Sequence, residues 1–164
     1  NNDKSAEFYK STQSIMQLND FEQYEISNWS KPTLECKHNL HYWEIEPCLA
    51  FGPSAHGFDG LSRFSNISNL DKYIKKLIND DIPQQHHEKL SAKNFSNELI
   101  GFGLRIKNGI NFEKFPDKFR EKFEITLDKN EKKWGKFLIK KGNRLSLTNE
   151  GYAYADAIAV DLLL

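Results

Sequence analysis

Cys48-Leu49-Ala50-Phe51-Gly52-Pro53-Ser54-Ala55-His56-Gly57 is a short apolar run that stops on glycine and opens into a turn of small residues. Apolar residues without polar alternation predict a strand covered on both faces, as in a parallel sheet. In open α/β sheets and barrels, ligands lie beyond the C-terminal ends of the strands. Small residues at Gly52–Gly57 would let backbone N–H groups approach a ligand closely. His56 reads equally as a ligand contact or as a turn residue.

Upstream, residues 4–18 predict a helix, with Asp3 placed to cap it and Phe8, Ile15 and Leu18 near one face. Tyr24-Glu25-Ile26 predicts a short strand ending at Ser27-Asn28. A polar loop with Lys31-Pro32 and Cys36-Lys37-His38-Asn39 follows. Downstream, Asn69 caps a helix over 69–79, since Leu70, Tyr73, Ile74, Leu77 and Ile78 recur at helical spacing. This is the pattern of an α/β protein with too few strands to close a sheet.

Residues 81–90 are polar and hold Pro83, so they are expected to link a first domain (1–80) to a second (91–164). Ser91 caps a helix running to about Ile106, ended by Asn108-Gly109. Phe112, Phe115, Phe119 and Phe123 form a stripe on one or two short helices separated or started by Pro116. Thr126 is placed to cap another short helix through Trp134. Phe137-Leu138-Ile139 and Leu145-Ser146-Leu147 flank Lys140–Arg144 as a β-hairpin with Gly142 in its turn. Thr148 then caps a last helix. Helices, a hairpin and a helix make a winged-helix-like arrangement, so the fold class is α/β followed by mainly α.

The 164 residues carry 23 basic and 23 acidic side chains and two cysteines. No apolar run approaches the roughly 20 residues of a membrane-spanning helix. Two cysteines cannot build a disulfide scaffold, nor hold an iron–sulfur cluster alone. Cys36 and Cys48 form no CxxC and read as reduced, with Cys48 buried in its strand. The chain opens on Asn1 and a polar stretch, with no apolar signal region. That suggests a fragment of a longer cytoplasmic protein, with a processed secreted chain as the alternative.

Zero net charge conceals a pattern. Residues 114–144 carry 11 basic and 5 acidic groups, while the segments on either side are acidic. Lys132, Lys133, Lys136, Lys140, Lys141 and Arg144 are either nucleic-acid phosphate contacts or a solvated basic face. Asp128 and Glu131 favour the solvated face.

The densest chemistry is His38-Asn39-Leu40-His41-Tyr42-Trp43. Imidazole ligates iron or zinc well, and aromatic rings stack on a flat macrocycle. One helical turn would put His38 and His41 on one face. Alternatively, one histidine hydrogen-bonds locally while Tyr42 and Trp43 pack. His86-His87 has no third ligand at a recognisable spacing and reads as solvated.

Four stretches together resemble the oxygen-independent coproporphyrinogen III oxidase-like (HemN/HemW) family. They are Tyr24-Glu25-Ile26-Ser27-Asn28, Lys31-Pro32, His38-Asn39-Leu40-His41-Tyr42-Trp43 and Leu49–His56. The HNxxYW element resembles the family's haem-chaperone branch. Residues 91–164, including Leu147-Thr148 and Gly151, resemble the family's C-terminal domain. The resemblance implies a parent protein with S-adenosylmethionine (SAM) and a 4Fe-4S cluster in an incomplete radical SAM α/β barrel. Residues 1–80 would be that barrel's last elements.

The cluster motif CxxxCxxC is absent from this chain, so neither cysteine is carried over and the fragment alone is expected to lack radical chemistry. Carried over are Ala55 and His56 beside the SAM and substrate pocket, and His38 and Tyr42 for haem, with His38 as axial metal ligand. Ser54 and Gly57 depart from the family's GPGAHS pattern, which has glycine and serine there. The function implied is haem handling, with a haem-acceptor protein as partner. The alternatives are coproporphyrinogen III decarboxylation and a winged-helix nucleic-acid or protein-interaction module.

Overall fold

The computed structural model describes residues 2–164. Helix α1 (Asn2–Leu18) exposes Phe8, Ile15 and Leu18. The Asp3 side chain expected to cap it lies outside the described residues. The Tyr9 hydroxyl, on the helix's inner side, donates to the carbonyl of Ile26 at 2.9 Å. The strand expected at 24–26 is a hairpin, β1 (Glu22–Glu25) and β2 (Asn28–Ser30), turning at Ile26-Ser27. Residues 37–39, expected as loop, open helix α2 (Lys37–Trp43).

The apolar run 48–51 is not a strand of a parallel sheet. Its one ladder contact is an antiparallel bridge between Cys48 and Phe58, and Leu49 and Phe51 are exposed. Every strand pair among the described residues is antiparallel. The physical reason is the turn chemistry that follows the run. Gly52 and Ser54 both sit at positive φ, which folds the chain back at once and leaves no length for a ladder. Pairing begins instead at β3 (His56–Phe58), continues through β4 (Ser62–Asn66) and ends on β5 (Gln84–Lys89).

Strand β5 occupies most of the stretch expected as a linker. All six of its residues are exposed, so its polar composition reflects an edge strand with solvated side chains. Helix α3 (Leu70–Ile78) forms where expected, with the Lys72 N–H donating to the Asn69 side chain at 3.0 Å. None of its residues is buried, and Leu70, Ile74, Leu77 and Ile78 stand exposed.

Helix α4 (Ala92–Gly103) starts at Ser91, whose hydroxyl accepts the Asn94 N–H at 3.1 Å. One or two short helices carrying the phenylalanine stripe, and another capped by Thr126, were expected; a single helix, α5 (Asp117–Trp134), starts after Pro116 and runs straight through Thr126. Thr126 is mid-helix, and its hydroxyl donates to the carbonyl of Lys122 four residues back at 2.9 Å. That local bond meets the hydroxyl's need without ending the helix. Strand β6 (Ile110–Asn111) pairs with β8 (Arg144–Leu147), which pairs with β7 (Leu138–Lys141), giving the order β6-β8-β7. After Thr148, whose hydroxyl accepts the Gly151 N–H at 3.0 Å, a 3-10 turn leads into α6 (Ala155–Leu162).

One buried cluster joins α4, α5, α6 and the β6-β8-β7 sheet, with Phe115 stacked on Phe123 at 4.9 Å. Ile45 and Phe58 enter the same cluster from the first half, so the two halves share a core. No helix among the described residues is long and apolar enough to cross a membrane.

Candidate functional site

Helix α2 decides how the HNxxYW side chains are presented. It has no side-chain cap, and it ends where Ile45, at φ 56°, turns inward to the core. Residues four apart share a helix face, so His38 and Tyr42 meet: their rings lie edge to face with centroids 4.9 Å apart. Both are exposed. Among the described residues the His38 ring nitrogens have no hydrogen-bond partner. His41 is engaged, its Nε2–H donating to the Pro47 carbonyl at 2.6 Å. One histidine of the motif therefore holds the loop after α2, and the other is left open.

Trp43 is half-buried and packs against α4. Its ring packs edge to face on Phe102 of α4 at 5.7 Å, and the Arg105 guanidinium lies 5.1 Å from its centroid. Arg105 reaches Glu25, a carboxylate only 2% exposed, with Nε 3.8 Å from Oε1. The other Glu25 oxygen accepts the Ser27 N–H at 3.0 Å and the Asn28 amide at 2.6 Å. The backbone joins in: Ile26 N–H donates to Arg105 O at 2.8 Å and Lys107 N–H to Tyr24 O at 3.0 Å. The segment Tyr24–Asn28, with Tyr24 and Glu25 buried, is thus a clasp onto the end of α4.

Between α2 and β4 lies an open cavity of about 390 Å³ lined by Asn28, Asn39, Tyr42, Trp43, Arg63 and Phe102. Arg63 is held by Glu98 of α4 through Nε, at 3.0 and 3.2 Å, and through Nη2. Its guanidinium lies over Phe58 at 5.1 Å and over Phe102 at 5.8 Å. The Glu98 bonds and the Glu98 charge raise the arginine's pKa further, against a smaller lowering by burial. Sequence reasoning missed Arg63, Phe102 and Arg105.

The Gly52–His56 turn does not offer free N–H groups. Gly52 N–H donates to the Tyr73 hydroxyl at 3.1 Å, Ser54 N–H to Ile67 O at 3.3 Å and Ala55 N–H to Gly52 O at 3.4 Å. The Asn66 amide bonds the carbonyls of Ala50 and Gly52, each at 3.0 Å. The small residues serve a tight, internally bonded turn and not a backbone cradle. His56 is exposed at the start of β3, with Ala55 half-buried before it.

His56, Ser65 and His86 share one row across β3, β4 and β5. Two strand spacings separate the histidines by roughly 9–10 Å, too far to hold one metal ion. No group of three His, Cys, Asp or Glu residues among those described could hold a metal. Cys36 is exposed, and Cys48 is half-buried where a fully buried strand position was expected. The chain's residues therefore do not fit an iron–sulfur cluster.

Much of the basic block is engaged within the chain. Lys133 bonds Asp161 at 2.5 Å and Arg144 bonds Asn108 O at 3.3 Å. Lys136 lies over Phe137 and Lys140 over Phe112.

Comparison with known proteins agrees with the motifs. Residues 90–154 match the family model of the HemN C-terminal domain. The chain is 31% identical over 161 residues to the haem chaperone HemW of Mycobacterium tuberculosis, covering 98% of this chain and 40% of that protein. It is 31% identical over 173 residues to HemW of Lactococcus lactis, covering 99% and 43%. The chain thus spans well under half the length of these relatives. Coproporphyrinogen III oxidase HemN from Escherichia coli, described as a radical SAM enzyme, superposes with a TM-score of 0.68 at 11% identity. That match covers 94% of this chain and 39% of the enzyme, and it shows a shared fold with mixed helix and strand. The chain is thus similar over nearly its whole length to HemW haem chaperones, and within it residues 90–154 match the HemN C-terminal domain.

Proposed function

We propose that this chain acts in haem handling, as the C-terminal part of a HemW-like protein of the cytoplasm. The observation that carries the reading is the pairing on α2: an exposed His38 without a hydrogen-bond partner among the described residues, its ring against Tyr42 four residues on. A neutral imidazole supplies an axial nitrogen to haem iron, and an adjacent phenol ring gives the macrocycle an apolar edge. Haem is cargo in this reading, passed on to an acceptor protein. Titrating haem into the 164-residue chain is expected to shift the Soret band, and His38→Ala to weaken both shift and affinity. An unchanged spectrum and affinity in that variant reject His38 as the ligand.

Residues 1–80 would be the last elements of a radical SAM barrel and 91–164 a winged-helix-like domain, with the boundary within 81–90. SAM and the 4Fe-4S cluster would belong to the parent protein, since this chain has no cysteine set for the cluster. With the turn's N–H groups engaged internally, contact with SAM or substrate there falls to the Ala55 methyl and the His56 imidazole.

A further inference from the structure

The cavity between α2 and β4 has a composition that the HNxxYW motif alone does not explain. Three aromatic rings, Tyr42, Trp43 and Phe102, are joined by two carboxamides and one guanidinium. Arg63 is committed on one edge only. Nε and Nη2 face Glu98, while Nη1 has no hydrogen-bond partner among the described residues. The guanidinium is also fixed in orientation between Phe58 and Phe102. A planar fork held on one edge keeps its remaining donors aimed, with little rotamer entropy left to lose when a carboxylate binds.

We propose that this cavity holds a planar tetrapyrrole against Tyr42, Trp43 and Phe102, and that Arg63 binds one of its propionate carboxylates through Nη1. This rests on the haem-handling reading and adds to it a residue that selects for the ligand's acid groups. It also makes Phe102, from the C-terminal domain, part of a site whose other members lie in the first half. Glu98 has two opposed effects: it orients Arg63, and its negative charge weakens the arginine's attraction for a second carboxylate.

The test uses the 164-residue chain with two probes, haem and haem dimethyl ester, which lacks the carboxylates. Arg63→Gln is expected to weaken haem binding about 10-fold or more, the effect of losing a hydrogen bond to a charged group. The same variant is expected to leave the weaker binding of the ester unchanged. Glu98→Gln keeps a hydrogen-bond acceptor for Arg63 and removes the opposing charge, so it is expected to tighten haem binding. Equal haem affinities in wild type and Arg63→Gln overturn the proposal, as does Glu98→Gln failing to tighten binding. If His38→Ala impairs haem binding while Arg63→Gln does not, this inference falls and the haem reading stands. If neither probe binds the wild-type chain, both fall.

Discussion

The Arg105 guanidinium lies 5.1 Å from the centre of the Trp43 ring, with its Nε 3.8 Å from the buried Glu25 carboxylate. Three stretches of chain far apart in sequence are joined through this one side chain. Arg105→Ala would leave Glu25 as a buried charge with only neutral partners. Breaking one side of a buried pair costs about 3 kcal/mol. Urea unfolding of Arg105→Ala is expected to show a loss of that order, with a smaller loss for Glu25→Gln, in which no unpaired charge remains. Equal losses in the two variants would refute the assignment.

Two glycines with left-handed backbones separate conformational cost from steric cost. Gly142 (φ 57°) has open space where a Cβ would lie, whereas a Cβ on Gly109 (φ 68°) would run into the Leu145 carbonyl. Gly142→Ala is expected to cost about 1 kcal/mol, from the left-handed conformation alone. Gly109→Ala adds displacement of the β6–β8 pairing, for a total of roughly 3 kcal/mol. Comparing the denaturation midpoints of the two variants checks the ranking.

The departures in the Gly52–Gly57 turn make an opposed pair. Ser54 sits at φ 61°, a conformation that favours glycine. Ser54→Gly is expected to stabilise by about 0.5 kcal/mol, the relief of left-handed strain less glycine's extra unfolded-state entropy. A Cβ on Gly57 would meet the Phe64 ring and lie 2.9 Å from the Cys48 carbonyl oxygen. Gly57→Ser should therefore destabilise and disturb the Cys48–Phe58 bridge, which thermal melts and amide exchange at Phe58 would report.

Asp161 ties α6 to the end of α5. The Lys133 ammonium, and then the Trp134 indole N–H at 2.7 Å, hold its carboxyl below the ordinary value of 3.8. A depressed carboxylate stabilises the fold above its ordinary pKa and loses that contribution as pH falls through the folded value. The stability difference between wild type and Asp161→Asn is therefore expected to be flat at neutral pH and to shrink only below about pH 4. A difference that already changes between pH 5 and 7 would contradict the assignment.

Local signals carried most of the fold. Asn69 and Ser91 cap where a side-chain oxygen followed by helical periodicity said they would, because a cap depends on a few neighbouring residues. Thr148 was expected to cap the last helix but opens a 3-10 turn, and α6 begins only after Tyr154. The hairpin at 138–147 formed for the same reason. What failed depended on distant partners. The 48–51 run has the composition of a doubly covered strand, yet Leu49 and Phe51 are exposed here. Residues 84–89 form a strand because β4 offers an edge, which no local pattern reveals. At the site, spacing suggested His38 beside His41 in a stretch that began as loop; α2 instead sets His38 against Tyr42 and turns His41 to the Pro47 carbonyl. Phe102, Arg63 and Arg105 were not legible, because each acts through a ring or carboxylate distant in sequence.

The clasp between β1 and the end of α4 also sets an order of events during synthesis. Glu22 and Lys107, which pair across it, are separated by 85 residues. At about 5–20 residues per second, the hairpin leaves the ribosome roughly 4–17 s before its partner. For that interval the hairpin has no α4 end to close on, and Glu25 must stay hydrated. Forming the clasp is therefore a late step, in which Glu25 loses water only once Arg105 has arrived.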